Sequence, residues 1–147
     1  MTHRTLLSLA IILLSGAAAP CPFAGTRSLK AGFVRSGATE ISMVEDGVRV
    51  MRYQLNRLTR GGENPLKAFS GGPAIVFDVR NEGTEPRDFA LAVALFDRQG
   101  VLVGAGTQSH TGDIDPGETD QVKLVLKDVN QGVPHASTII MTLETRR

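Results

Sequence analysis

Apolar residues recur at every second position along much of the chain, the spacing at which the side chains of a β-strand share one face. The clearest run lies over residues 87–106. Phe89, Leu91, Val93 and Leu95 alternate there with Ala90, Ala92 and Ala94, which are small enough for a second layer to lie close. Asp97-Arg98-Gln99-Gly100 breaks the run with turn residues, and Val101, Val103 and Ala105 resume it. Two strands joined in this way predict a hairpin. A helix is disfavoured, because glycines 100, 104 and 106 would each cost about 1 kcal/mol in one.

The same alternation predicts strands on both sides of this hairpin. Residues 73–81 place Ile75, Phe77 and Val79 inward and Asp78 and Arg80 outward, with Pro73 at the first position, where its missing N–H does no harm. Residues 40–45 form a short strand, followed by Asp46-Gly47, a dipeptide suited to a two-residue turn at positive φ. Residues 48–59 form a long strand that changes phase. Val48 and Val50 lie on one face, Met51, Tyr53 and Leu55 on the other, and a bulge near Val50 and Met51 reconciles them. Arg52, Gln54 and Asn56 then point to solvent. Val122, Leu124 and Leu126 alternate with Lys123 and Lys127, and residues 137–145 close the chain with Ile139, Met141 and Leu143 inward. Met43, Met51 and Met141 all read as core. Six to seven short strands with no amphipathic helix predict an all-β fold, a two-layer antiparallel β-sandwich.

The first part of the 147-residue chain has a different character. His3 and Arg4 precede a short apolar run over residues 6–14, and small residues follow at 15–19, the layout of a secretory signal peptide over residues 1–19. That run is shorter than the roughly 20 residues a membrane-spanning helix needs. The expectation is an exported protein, periplasmic or extracellular, with a flexible leader over 20–39 and the sandwich domain over 40–147. Cys21, the single cysteine, forbids an intrachain disulfide and leaves lipid anchoring, a free thiol or an intermolecular pair as alternatives. Pro20 before it departs from the small residue that a lipidation signal carries.

The run from Ala74 to about Leu143 resembles the FxLYD-type domains of bacterial envelope and secreted proteins. The matching residues are Val79-Arg80-Asn81, Val93-Ala94-Leu95-Phe96-Asp97, Gly100, Val103-Gly104-Ala105-Gly106 and Pro116-Gly117-Glu118. Val93 stands where the family name has Phe, and Phe96 where it has Tyr. The resemblance implies an immunoglobulin-like sandwich and a non-catalytic envelope module. It assigns no site residue.

Composition narrows the function further. The net charge of +1 is the sum of a basic stretch over 20–60 and an acidic remainder. The basic density is far below that of a nucleic-acid binder. Among catalytic constellations, Ser109, His110 and Asp113 are too close in sequence for a nucleophile, base and orienting acid to converge. The loop holding Asp113, Asp115, Glu118 and Asp120 has alternating acids that suit calcium, although Pro116-Gly117 turns the chain between them. No cofactor motif is present, and an enzyme is not expected. The long irregular segment over 60–72 and the arginines of the third strand direct attention to a partner surface, with Arg49, Arg52, Arg57, Arg60, Phe69 and Phe96 as candidates. The expected function is therefore binding of another envelope protein or component. A carrier or sensor of a small ligand or calcium-like ion is the alternative.

Overall fold

A computed structural model describes residues 23–56, 72–110 and 112–146. The predicted signal peptide, Cys21, Arg57, Arg60 and Phe69 lie outside the described residues. Nine strands are described: β1 (Phe23–Gly32), β2 (Ala38–Glu45), β3 (Val48–Asn56), β4 (Ala74–Asn81), β5 (Asp88–Phe96), β6 (Leu102–Ser109), β7 (Thr119–Val125), β8 (Lys127–Asp128) and β9 (Thr138–Arg146). They form two antiparallel sheets in the orders β1-β9-β5-β6-β8 and β2-β3-β4-β7. The fold is the predicted all-β sandwich. Its non-sequential pairs, β4 with β7 and β5 with β9, interlock the sheets in the Greek-key manner of immunoglobulin-like domains.

The alternating residues make the core. Ile75, Phe77 and Val79 of β4 face Phe89, Leu91, Val93 and Leu95 of β5 and Ile139, Met141 and Leu143 of β9, all of them buried. Tyr53 sits in the same layer with no exposure, stacked on Phe33 at 5.9 Å and tilted against Phe77 at 6.3 Å. Its hydroxyl accepts a hydrogen bond from the Val34 N–H at 3.1 Å, which satisfies the polar tip of a buried aromatic. The phase change in β3 is resolved as expected. Val50 faces Val79 and Arg52 faces Asp78, so Met51 is the extra residue and Val48, Val50, Tyr53 and Leu55 all reach the core. The Asp46-Gly47 turn takes positive φ at both positions, 45° and 83°.

Several expectations are corrected. The leader predicted over 20–39 holds the ten-residue strand β1, which runs antiparallel to β9 from Phe23↔Arg146 to Gly32↔Thr138. Its alternation is weak because it is an edge strand, and among its described side chains Leu29 and Ala31 pack against the core. The strand count exceeds the six to seven expected, partly for this reason. The other addition is β8. The chain leaves β7 at Leu126 and crosses to the opposite sheet, where Lys127 and Asp128 pair with Ala105 and Gly104. Val101 is not inward: it is 58% exposed, because β6 starts only at Leu102 and a register shift lies between Leu95 and Phe96. Met51 is half-buried, not core, since the bulge turns it off the inner face. Asp78 lies on the outer face as expected, yet its neighbours bury it there. The Arg52 guanidinium donates to its Oδ2, and the Gln121 side-chain amide donates to its Oδ1 at 3.0 Å.

Candidate functional site

The two ends of the sandwich differ in chemistry. One end gathers the β2–β3 turn, the turn after β4 and the β6–β7 connection. Its organising residue is Asn81, fully buried at the end of β4. The Asn81 side-chain amide donates to the Glu85 and Ile114 carbonyls at 2.8 Å each, and its oxygen accepts from the Gly83 N–H at 2.9 Å. The backbone N–H of Asn81 donates to the Glu118 carbonyl, and its carbonyl accepts from Gly117. A single asparagine thereby pins two connections, and the next residue ties in the third, the Glu82 N–H donating to the Gly47 carbonyl.

His110 and the acidic loop lie at this same end. The His110 ring stacks on Phe89, with centroids 4.8 Å apart and planes 13° off parallel. Its Nδ1 lies 2.7 Å from the Gly112 carbonyl oxygen and its Nε2 lies 2.8 Å from Asp120 Oδ2. Both nitrogens thus face acceptors, which suits the doubly protonated ring. Burial works against that charge. The hydrogen bond to Asp120, the Gly112 carbonyl and the negative charges of Asp120 and Asp88 outweigh it and raise the His110 pKa. The hydrogen bond from His110, followed by one from the Gln121 N–H, holds the Asp120 carboxyl below the ordinary range.

These contacts set the partners of His110 and of the acidic loop. Glu118 accepts from the Asp115 N–H at 3.1 Å, while Asp120 is engaged by His110. Among the described residues, no group of three or more His, Cys, Asp or Glu side chains could hold a metal ion, so Asp113, Asp115, Glu118 and Asp120 do not converge. His110 takes Asp120 and not Asp113 as its partner, and neither ring nitrogen is directed at Ser109.

Of the expected arginines, the two that are described are already paired. Arg49 pairs with Glu82 at 2.8 Å and donates to Ser42 Oγ at 2.7 Å, and Arg52 is committed to Asp78. Phe96 is half-buried on the outer face of its sheet, between Leu102 and Thr138 in register. Beside it, Ala92, Ala94, Ala105 and Ile140 floor a shallow depression of about 350 Å³.

The opposite end carries an open cleft of about 680 Å³, which the sequence did not mark. Three connections build it: Phe33 and Arg35 between β1 and β2, residues 97–101 between β5 and β6, and residues 129–137 between β8 and β9. Phe33, Val103 and Ala136 are its buried floor, and Val101 and Leu102, 58% and 40% exposed, form an apolar wall. Arg98 and His135 line it with no side-chain partner among the described residues. Arg35 donates to the Pro134 carbonyl and so is tied across the cleft mouth. Asp97 also lines the cleft, but its Oδ1 is spent inside its own turn, accepting from the Gln99 and Val101 N–H groups at 2.9 Å each.

The cleft is held in one shape. Gly132 packs so close to Val103 that an added Cβ would lie 2.7 Å from Val103 Cγ1. Asn130 and Gln131 take left-handed φ values of 52° and 57°, a conformation that costs non-glycine residues roughly 1–2 kcal/mol each. Asp128 Oδ1 accepts from the Val133 N–H and braces the turn that follows. The one signal that pointed here was the pair Val101 and Leu102 beside Arg98, which reads as strand until the register shift is known.

Comparison with protein-family models, with curated proteins and with solved structures found no match. The class is therefore set by the fold, a two-sheet antiparallel β-sandwich. Asn81 pins the turns, Val93 and Leu95 fill the core, and Asp97 shapes the hairpin turn. No helix among the described residues is long and apolar enough to cross a membrane.

Proposed function

We propose that this protein is an exported, non-catalytic binding module that recognises another envelope protein through the cleft at the Asp97–Gly100 end of its sandwich. The observation that carries this reading is the coincidence, around one cleft, of solvent-facing Val101 and Leu102 with Arg98 and His135, whose side chains have no partner among the described residues. Exposed apolar groups beside free polar ones on a rigid frame are what recognition surfaces offer. The signal-like run over 6–14 supports export. The use of His110 in a structural clasp supports a non-catalytic role. The ion-carrier alternative is weakened because Glu118 and Asp120 are already committed.

The test is site-specific photocrosslinking in the producing cell. A benzophenone side chain replaces Val101 in the cleft or Val44 on the exposed edge strand β2. The expected outcome is one dominant adduct with another protein from position 101, absent from position 44 and reduced by Arg98→Glu. Absence of an adduct from position 101, or equal adducts from both positions, would overturn the reading.

A further inference from the structure

Resting on the binding-module reading, we infer that the end cleft takes an extended acidic peptide segment of the partner, with an apolar side chain against Val101, Leu102 and Val103 and a carboxylate between Arg35 and Arg98. The cleft's two guanidinium groups come from separate connections, one after β1 and one in the β5–β6 turn. A planar guanidinium presents several N–H donors and keeps its charge at all physiological pH, so it selects carboxylates. Arg35 has spent one nitrogen on the Pro134 carbonyl, and Arg98 has spent none among the described residues. The negative lining group, Asp97, turns one oxygen into its own backbone, where two N–H groups partly offset its charge and lessen its repulsion of an incoming carboxylate.

The apolar half of the ligand follows from the floor and wall. Phe33, Val103 and Ala136 are buried at 8%, 6% and 3% exposure, while Val101 and Leu102 stand free above them. A ligand side chain laid there would cover the wall and recover roughly 25 cal/mol for each Å² of apolar surface removed from water. Small-molecule pockets enclose most of their ligand. This cleft is instead open and rimmed by Arg98, Gln99, Asn130 and His135, which suits a chain that enters and leaves. Alternate side chains of an extended peptide point to opposite sides, so an acid and an apolar residue near one another can meet the two halves of the site.

Charge across the molecule adds a control. The end opposite the cleft bears Asp113, Asp115, Glu118 and Asp120, so this chain carries an acidic segment of its own that a second copy could offer.

The experiment uses fluorescein-labelled, end-capped octapeptides titrated with the mature protein at low and high salt. One alternates glutamate with leucine, one glutamine with leucine, and one glutamate with serine. Binding of the glutamate–leucine peptide is expected, about tenfold weaker with either control peptide and about tenfold weaker at high salt. Arg98→Glu should weaken it by at least the same factor. Arg98 is exposed and has no side-chain partner, so an unchanged thermal melt confirms that this variant folds; Val101→Ser tests the apolar half separately. No binding, equal binding of the glutamine–leucine peptide, or indifference to Arg98→Glu would overturn the acidic assignment. Tighter binding of a peptide copying residues 112–120 would make a second copy the occupant and overturn it as well. Crosslinking from position 101 decides the binding-module reading independently, so a failed peptide titration beside a successful adduct removes the acidic assignment alone.

Discussion

At the scale of single residues, the strongest local determinant is Asn81. It satisfies two carbonyls and one N–H that are otherwise closed off from water by three converging connections. Each buried polar group left unsatisfied costs about 1–3 kcal/mol. Asn81→Ala is therefore expected to lower the unfolding free energy by about 3 kcal/mol, read as a reduced midpoint in urea with an unchanged slope. Asn81→Asp should be at least as damaging, because a carboxylate would face the Glu85 and Ile114 carbonyls without N–H groups to offer. The sequence placed Asn81 at the end of a strand but could not show that its side chain reaches Ile114, a residue far along the chain. The same holds for His110, which read as a polar strand end and is instead a clasp between the sheets.

The clasp carries a pH dependence whose sign follows from its charges. The native pKa of His110 is raised, so its contribution is complete below the ordinary histidine value and is lost as pH rises through the native one. The native pKa of Asp120 is lowered, so its contribution is present above the ordinary carboxylate value and is lost as pH falls through the native one. Stability from this pair is greatest between about pH 4 and about pH 6.5. Melting temperature measured from about pH 5.5 to about pH 8.5 should fall in the wild type. His110→Gln keeps a neutral hydrogen-bond donor at the site and should flatten that slope. A wild-type profile as flat as the variant's would show that the clasp does not titrate in this range.

At the scale of elements, the chain's glycines separate required close approach from mere tolerance. Gly106 lies on β6 where β7 crosses beneath it. An added Cβ would collide with the Val125 carbonyl oxygen and come within 2.6 Å of Leu124 Cδ2. Gly32, at the end of β1, has open space around it. Gly106→Ala is expected to destabilise by about 2 kcal/mol, in the range of overpacked cores, whereas Gly32→Ala should stay within about 0.5 kcal/mol. Paired denaturation curves decide this, and equal effects would show that β6 and β7 have room to separate. The alternating strands β4, β5, β7 and β9 were legible because each buries one full face. The edge strand β1 was not, because an edge needs hydrogen-bonding partners more than it needs a hydrophobic face. Strand β8 has only two residues and exists because Lys127 and Asp128 find β6 alongside them.

At the scale of the whole molecule, the sandwich sorts its connections between two ends of opposite character. At the end pinned by Asn81 the turns are tied to one another, and Asp120 of the acidic loop is engaged by His110. The other is an open cleft with exposed valine and leucine and with Arg98, which has no side-chain partner among the described residues. Arg49 and Arg52 looked like partner residues in the sequence because nothing there showed Glu82 and Asp78 beside them, and it is pairing across the sheet that neutralises both.

The sequence by itself determined the all-β class, the inner face of nearly every core strand, the bulge in β3 and the Asp46-Gly47 turn. Those features depend on side-chain periodicity and local backbone preference, which short windows contain. Tertiary structure alone decided which strands became neighbours, that β1 joins the sheet, that the chain changes sheets at Leu126, and that Phe33, Arg98, Leu102 and His135 line one cleft. Each of these brings together residues distant along the chain, and the geometry that joins them arises only when two sheets pack and their loops must share the same end.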